Sequence, residues 1–411
     1  MIHSFEDHNQ NFWHLMAIQS AGIGLQGMML GGQLTKQYGA GTAILSIFVG
    51  NIILWIIGLS IVGMSAGKKT HAIENFRLYI GKWGSIIASL LLLTGLLFWY
   101  SLQINIATTT VSSVLQYSDN NSAILRIGAG LGFFIALLAT GGIKAIRKIC
   151  VFLFPFIFLY AIYTALKSNY SPIFSGTWGL SLPAILLSIS ATLIGIINLP
   201  TFFRHGRSKP DMFLGLTLVI LFLILFQISS IWISAADTSE GVLAAFVEGK
   251  AGIYLFVSVA FIIISCICVN LLNIYFASVA WETIIPRITG AKEYAVIGLL
   301  GTASYTFLQT STRMVFLENV ANNIISTLGI ILLLAFLVQL VVQHRPRKMD
   351  KFVNNVCWFV GAVVAVCVLV WDPEAASRSL IAGVGASALA FVVIMYFEET
   401  RWAYRNSSIK K

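Results

Sequence analysis

Charge is what this chain has least of. Only 10% of its 411 residues are Asp, Glu, Lys or Arg, and no acid occurs between Asp7 and Glu74. With 58% hydrophobic residues and a mean hydropathy of +0.86, there is too little polar surface to cover a soluble core. Cysteine is also scarce: Cys150, Cys266, Cys268, Cys357 and Cys367 fall in or at the ends of apolar runs. No CxxC pair or Cys/His cluster accompanies them, so neither a disulfide framework nor a zinc site is expected, and small apolar packing is their ordinary role. HExxH, GxSxG and paired mid-membrane Asp or His are missing too, which argues against an enzyme. A channel would need a repeated filter or rings of charge, and neither is present. The six histidines (His3, His8, His14, His71, His205 and His344) lie near the N-terminus or in basic loops, so none reads as a proton relay or metal ligand. No metal or cofactor is expected.

What remains is apolar length. About twelve runs approach the roughly 20 residues needed to cross a bilayer. They are Trp13–Gly32, Gly41–Met64, Trp83–Leu115, Ile124–Thr140, Ile149–Leu166, Leu180–Phe203, Met212–Ala235, Tyr254–Ala280, Tyr294–Leu308, Met314–Val342, Phe352–Trp371 and Leu380–Phe397. The loops between them are short, so residues 1–411 read as one membrane domain of all-α class. The N-terminus shows no basic n-region and no small-residue cleavage site, so the first span is expected to stay.

The net charge of +10 follows topology rather than nucleic acid. With the N-terminus inside and an even number of spans, all but six of the 26 Lys and Arg face one side. The six are Lys36, Arg126, Lys167, Lys250, Arg313 and Arg378. Such a bias places both termini in the cytoplasm of a multi-pass inner-membrane protein.

The first span holds five glycines in the thirteen residues from Ser20 to Gly32. Each costs roughly 1 kcal/mol against Ala in a helix interior, so the stretch predicts an interrupted helix whose freed backbone at Gly22, Ile23, Gly24 and Gly27 faces a polar hollow. Gly22-x-Gly24-x-x-Gly27 matches a dinucleotide fingerprint as a string, but its flanks are membrane-length apolar runs with no strand and no acid at the required distance. In the sixth span, Gly195, Asn198 and Pro200 suggest a second interruption. Interruptions five helices apart predict two inverted five-helix repeats, over 13–166 and 180–342, with two further helices over 352–397, and matched breaks point to a midplane site.

Three patches carry a family likeness. Gly31-Gly32 is followed by Gly50-Asn51, then by Gly67-Lys68-Lys69-Thr70 and by Gly81-Lys82-Trp83-Gly84-Ser85 at the entry to the third helix; Phe203-Arg204-His205-Gly206-Arg207 follows the sixth span. In this order they resemble the bacterial cytosine permeases and the wider nucleobase/cation symporter family, the first of the two nucleobase symporter families. The resemblance implies the leucine-transporter fold and symport of a flat heterocycle, such as cytosine, a purine or a hydantoin, with a cation by alternating access. It also implies a third-helix Trp with a nearby Gln, and an eighth-helix Asn, at the ligand.

The residues offer such a set. Trp99 and Gln103 are four apart and share a helix face. An indole can stack on a planar ring, and an amide can donate to and accept from its edge, although a Trp here could also belong to a core or interface belt. Asn270 and Asn273 share a face of the eighth span, where buried amides serve either a site or a helix contact; Asn273 matches the family's ligand residue. In the sixth helix, where relatives often present a second aromatic, this chain offers Thr192 or Ile194. Gln26 could compensate or could satisfy freed backbone.

For the cation, the resemblance points to the first-helix backbone at Gly22 and Leu25 and to the eighth helix at Cys268 and Val269. A thiol and an isopropyl group supply no hard oxygen, which argues against sodium and leaves the coupling ion as H+ or Na+. Glu318, near the outer end of the tenth span, is the candidate proton carrier, although Arg313 could hold it in a rim ion pair. The partners expected are a small heterocycle and the lipid bilayer, with no nucleic acid, and the carrier is expected as a monomer. The rival on the same fold is a carrier for an amino acid or for a vitamin precursor such as a hydroxymethylpyrimidine; the Trp99 and Gln103 pair favours a planar ring.

Overall fold

The computed structural model describes residues 10–66, 70–114, 121–167, 178–236, 252–287, 290–308, 314–341, 351–372 and 375–409. Within them run twelve helices: α1 (Phe12–Tyr38), α2 (Ala40–Ala66), α3 (Ala72–Val114), α4 (Asn121–Ala139), α5 (Gly142–Lys167) and α6 (Leu182–Phe203), then α7 (Lys209–Ala236), α8 (Ile253–Ile284), α9 (Ala291–Leu308), α10 (Met314–Val341), α11 (Lys351–Trp371) and α12 (Ala376–Ile409). Local chemistry fixes their ends. Asn11 caps α1 by accepting from the His14 amide at 3.1 Å, and Ser181 caps α6 ahead of a proline in its first turn. The Ser208 hydroxyl caps α7 while donating to Asp211, whose other carboxylate oxygen accepts from the Phe12 amide and so joins α7 to the start of α1.

Ten of these helices are long and apolar enough to cross a membrane; α1 and α9 fall short of that mark. The shortfall has a cause, because α1 runs through the middle of the bundle, where neighbouring helices rather than lipid are its solvent. The third span also starts earlier than its apolar run. Gly81, at φ 74°, kinks α3 and sets off a first segment ending at Ile80. The carbonyls left open at that kink are taken up by α11: Asn354 donates to Tyr79 O at 2.9 Å and Asn355 to Ile80 O at 2.8 Å.

The packing repeats with a shift of five. α1 packs on α7 as α6 packs on α2, α1 on α5 as α6 on α10, and α3 on α9 as α8 on α4. Likewise α1 meets α8 as α6 meets α3, and α5 meets α8 as α10 meets α3, while α2 with α7, α3 with α8 and α4 with α9 pair with their own images. Contacts between helices distant in sequence that survive exchange of helix n with n+5 are what two equivalent five-helix units produce, although among the described residues the neighbour contacts α1–α2, α2–α3 and α4–α5 lack such images. α11 and α12 pack on each other and on α10, outside this scheme.

One expectation is overturned. α1 is helical without interruption from Phe12 to Tyr38, through Gly22, Ile23, Gly24 and Gly27, and α6 is continuous through Gly195 and Pro200. The glycines of α1 are contact points instead. A Cβ on Gly24 would meet Ile157 of α5, one on Gly27 would meet Leu223 and Phe226 of α7, and one on Gly31 would come within 2.0 Å of the Gln227 carbonyl oxygen. Spaced by three and four, these residues form one face on which α7 approaches backbone to backbone, as small residues allow between membrane helices. Gly31→Ala is therefore expected to push α1 and α7 apart and lower stability by about 1–3 kcal/mol, whereas Gly130→Ala on α4, with nothing within 4 Å of its Cβ position, is expected to be neutral or stabilising. Thermal melts of the two variants in detergent check this.

Candidate functional site

α3 and α8 face each other at mid-depth, and their polar side chains form a short relay. Asn273 donates to Asn270 Oδ1 at 3.1 Å, Asn270 donates to the Cys266 sulfur at 3.5 Å, and the Cys266 thiol donates to the Gln103 carbonyl at 3.4 Å. The three α8 residues lie at i, i+4 and i+7, one face of the helix. Gln103 is 1% exposed, and neither its Nε2 nor its Oε1 has a partner. An amide in hydrocarbon without partners costs about 1–3 kcal/mol, so the position is held against a stability cost. One turn earlier, Trp99 is half-buried and its Nε1 donates to Asn322 of α10 at 3.4 Å, which anchors the edge of the indole.

Two other expected residues lie where α1 meets α6. Gln26 donates to the Ala191 carbonyl of α6 at 2.7 Å, a structural cross-link between the two central helices. The Thr192 hydroxyl turns back to its own helix, donating to Ser188 O at 3.2 Å. Ser265, which sequence reasoning passed over, is buried beside Cys266 with an unpartnered hydroxyl.

Access to this region is one-sided. Along α1, Ile23, Gln26 and Met29 are half-exposed and Gln33 is fully exposed; along α6, Leu187 and Ala191 are half-exposed and Gly195 is exposed, with nothing within 4 Å of its Cβ position. The two helices meet at the Gln26–Ala191 contact, and on α1 the exposure grows toward its C-terminal end. The other end is sealed. Leu15–Gly22, Ile196–Phe203 and Cys268–Trp281 are buried without exception.

The seal ends in a polar clasp. Tyr275 of α8 donates to Thr201 O at 3.2 Å, accepts from Arg204 at 3.3 Å and meets His205 Nε2 at 3.0 Å. Gln10, just before α1, exchanges backbone hydrogen bonds with His205 and Arg207, and its side-chain oxygen, turned toward α5, accepts from Arg147. Burial pulls the Arg204 pKa down, but Tyr275, Glu282 and Glu74 more than offset it, so the guanidinium stays charged. Burial first, and Arg204 second, hold the His71 pKa at about 3, and the neutral ring accepts from the Glu74 backbone amide through Nδ1 at 3.3 Å. The Phe203-Arg204-His205 patch was visible in the sequence, but nothing there pointed to Tyr275.

The expected cation ligands do not gather into an oxygen cage. Gly22 and Leu25 keep their helical backbone, and Gly22 abuts Leu272 of α8. The Cys268 thiol hydrogen-bonds with the Cys150 thiol of α5, and Val269 is buried hydrocarbon. The side chain of Glu318 lies outside the described residues.

No protein-family model and no curated protein matches the sequence. Solved structures do. Mhp1, a nucleobase-cation-symport-1 family transporter, in a closed conformation with bromovinylhydantoin bound, superposes with a TM-score of 0.70 at 17% identity over 96% of this chain and 93% of its own. The chain has the leucine-transporter fold. A Na+-coupled sialic acid symporter in a substrate-bound outward-open state superposes at TM-score 0.64 with 12% identity, over 94% of this chain and 89% of that one. MhsT in complex with L-phenylalanine does so at 0.63 with 15% identity, over 94% and 98%. The inward-facing conformation of Mhp1 superposes at TM-score 0.61 with 18% identity, over 94% of this chain and 90% of that one.

Gln103→Leu removes an orphaned amide at nearly constant volume. The unliganded protein is expected to gain about 1 kcal/mol, read as a higher melting temperature, and at the same time to lose ligand-induced stabilisation. A substitution that merely damaged packing would lower both.

Proposed function

We propose that this protein is a secondary transporter that imports a nucleobase or a related planar heterocycle across the inner membrane by cation symport, with both termini cytoplasmic. The observation that carries this reading is Gln103, a fully buried amide with donor and acceptor both unused. The edge of a nucleobase or hydantoin ring offers a ring N–H beside a carbonyl, the complement of one carboxamide. Trp99, on the same face of α3, supplies a ring to stack on, and Asn273 and Asn270 supply further amides from α8. The bound hydantoin belongs to Mhp1, and it supports this reading by chemical kinship.

The conformation fits a carrier. With the charge bias putting the α1 N-terminus inside, the exposed stretch of α1 lies toward the outer face and the clasp around Tyr275 lies at the cytoplasmic end, as in one half of an alternating-access cycle. An amino acid would need unwound α1 backbone to grip its carboxylate, and α1 is continuous. A pyrimidine vitamin precursor presents the same ring chemistry and is an outcome of the ligand screen rather than a separate mechanism. For the coupling ion, sulfur and hydrocarbon at Cys268 and Val269 favour a proton over sodium.

A thermal-shift screen of nucleobases, hydantoins and hydroxymethylpyrimidine is expected to return a planar ring. Trp99→Ala should weaken it by about 1–3 kcal/mol, roughly 5- to 150-fold in Kd, in protein that still folds. An unchanged Kd rejects the stacking role. In proteoliposomes, an imposed proton gradient is expected to drive uptake where a sodium gradient alone does not; strong stimulation by sodium overturns the reading of the α8 position.

A further inference from the structure

The acid that matters in the cytoplasmic seal is one the hydropathy pattern hides. Glu293 stands in the first turn of α9, just before the apolar run that begins at Tyr294, and reads in the sequence as a solvated loop charge beside Lys292. In the fold it is 1% exposed, and its Oε1 has no partner. Two influences favour its ionised form: the helix N-terminus, and a hydrogen bond from the Gly290 backbone. Two oppose it. Burial dominates, and Glu282 at the end of α8 adds a charge of the same sign, so the carboxyl is pushed up to about 8. Arg204, the nearest cation of the clasp, faces Glu282 and Glu74 rather than Glu293. On its own helix the neighbours are Lys292 and Tyr294, and the Tyr294 hydroxyl bonds to Ser278 of α8 beside Tyr275. α3 and α4, the other helices on α9, meet it through Tyr100 and Ala136, which carry no charge.

We propose that Glu293 is a proton-binding site where α9 packs on the clasp-bearing helix α8, with Glu282 as its acidic neighbour. The ligand is H+ itself: in the sealed state the carboxyl holds a proton, and any state that lets water reach Glu293 returns it to ordinary carboxylate behaviour and releases that proton. The proposal rests on the carrier reading for its use in symport but not for its test.

The sign follows from linkage. The sealed-state affinity for the proton exceeds the open-state one, so the seal is strongest below the ordinary carboxylate range. It weakens as pH rises toward about 8 and is constant beyond. Across that window one proton per opening means that the open-to-sealed ratio rises up to tenfold per pH unit.

Hydrogen–deuterium exchange of Leu15–Gly22 and Ile196–Phe203 reads the seal without any substrate, and the ratio of wild type to Glu293→Gln at each pH cancels the intrinsic pH dependence of exchange. From about pH 5 to about pH 9 the ratio is expected to start near one, climb and level off. In Glu282→Gln the climb should persist and level off at lower pH, which also separates a titration effect from a folding defect. A flat ratio, or a Glu282→Gln curve that coincides with wild type, overturns the proposal. Failure of the nucleobase screen with this pH response intact would reject the substrate reading alone.

Discussion

A polar group carried to bilayer depth must find a partner in the protein, because lipid offers none. That constraint explains most of the side-chain chemistry here. Serines and threonines inside the helices turn back to their own backbone, as Ser89 does to Ser85 O, Thr108 to Ile104 O and Ser326 to Asn322 O. Larger amides reach across helices: Asn51 to Gln227 between α2 and α7, Gln26 to the Ala191 carbonyl, Asn323 to Ser379, Asn354 and Asn355 to the open carbonyls before Gly81. Against that background Gln103 stands apart among the described residues, since both of its amide atoms are free where α3 faces Cys266 of α8.

The helices, their number and their apolar character were legible because hydrophobic length is a direct readout of bilayer thickness. So was the Trp99 and Gln103 pair: helical spacing alone puts them on one face, and nothing in the fold rearranges that. Asn270 and Asn273 were legible as a shared face, but not as a relay, since the Cys266 thiol that links them to α3 looks in sequence like any small apolar residue.

The glycines of α1 were misread because helix propensity and helix packing ask for the same residue for opposite reasons. Propensity measured in water counts each Gly against the helix, whereas in a bundle its missing Cβ lets a neighbour come close. The cue that separates the two is spacing. Gly24, Gly27 and Gly31 recur at three and four, which makes a face, and a face implies a helix running through it. The partner was not legible: it is the backbone of α7 at Gln227, some two hundred residues away, and its approach is known only from the fold. Glu293 was missed for a related reason. It sits among loop charges in the sequence, and only the packing of α9 in the bundle removes it from water.

The amides and the acid that neighbours Glu293 lie on one helix. α8 carries Asn270 and Asn273 at the level of Gln103, Tyr275 and Ser278 in the seal, and Glu282 at its end. From Asn273 to Glu282 is nine residues, roughly 14 Å of helix at 1.5 Å per residue. On the proposed reading, a solute on Asn273 and a proton beside Glu282 would therefore bias the same helix. Coupling between two sites needs a shared element with two arrangements, each preferred by a different ligand state. α8 meets the first half of that requirement by its length and burial. Tyr275 supplies the observed arrangement, since its bonds to Thr201 and Arg204 hold α8 to the end of α6. On the proposed reading a second arrangement would break those bonds as it admits water to Glu293, and proton release and opening of the clasp would then be one event.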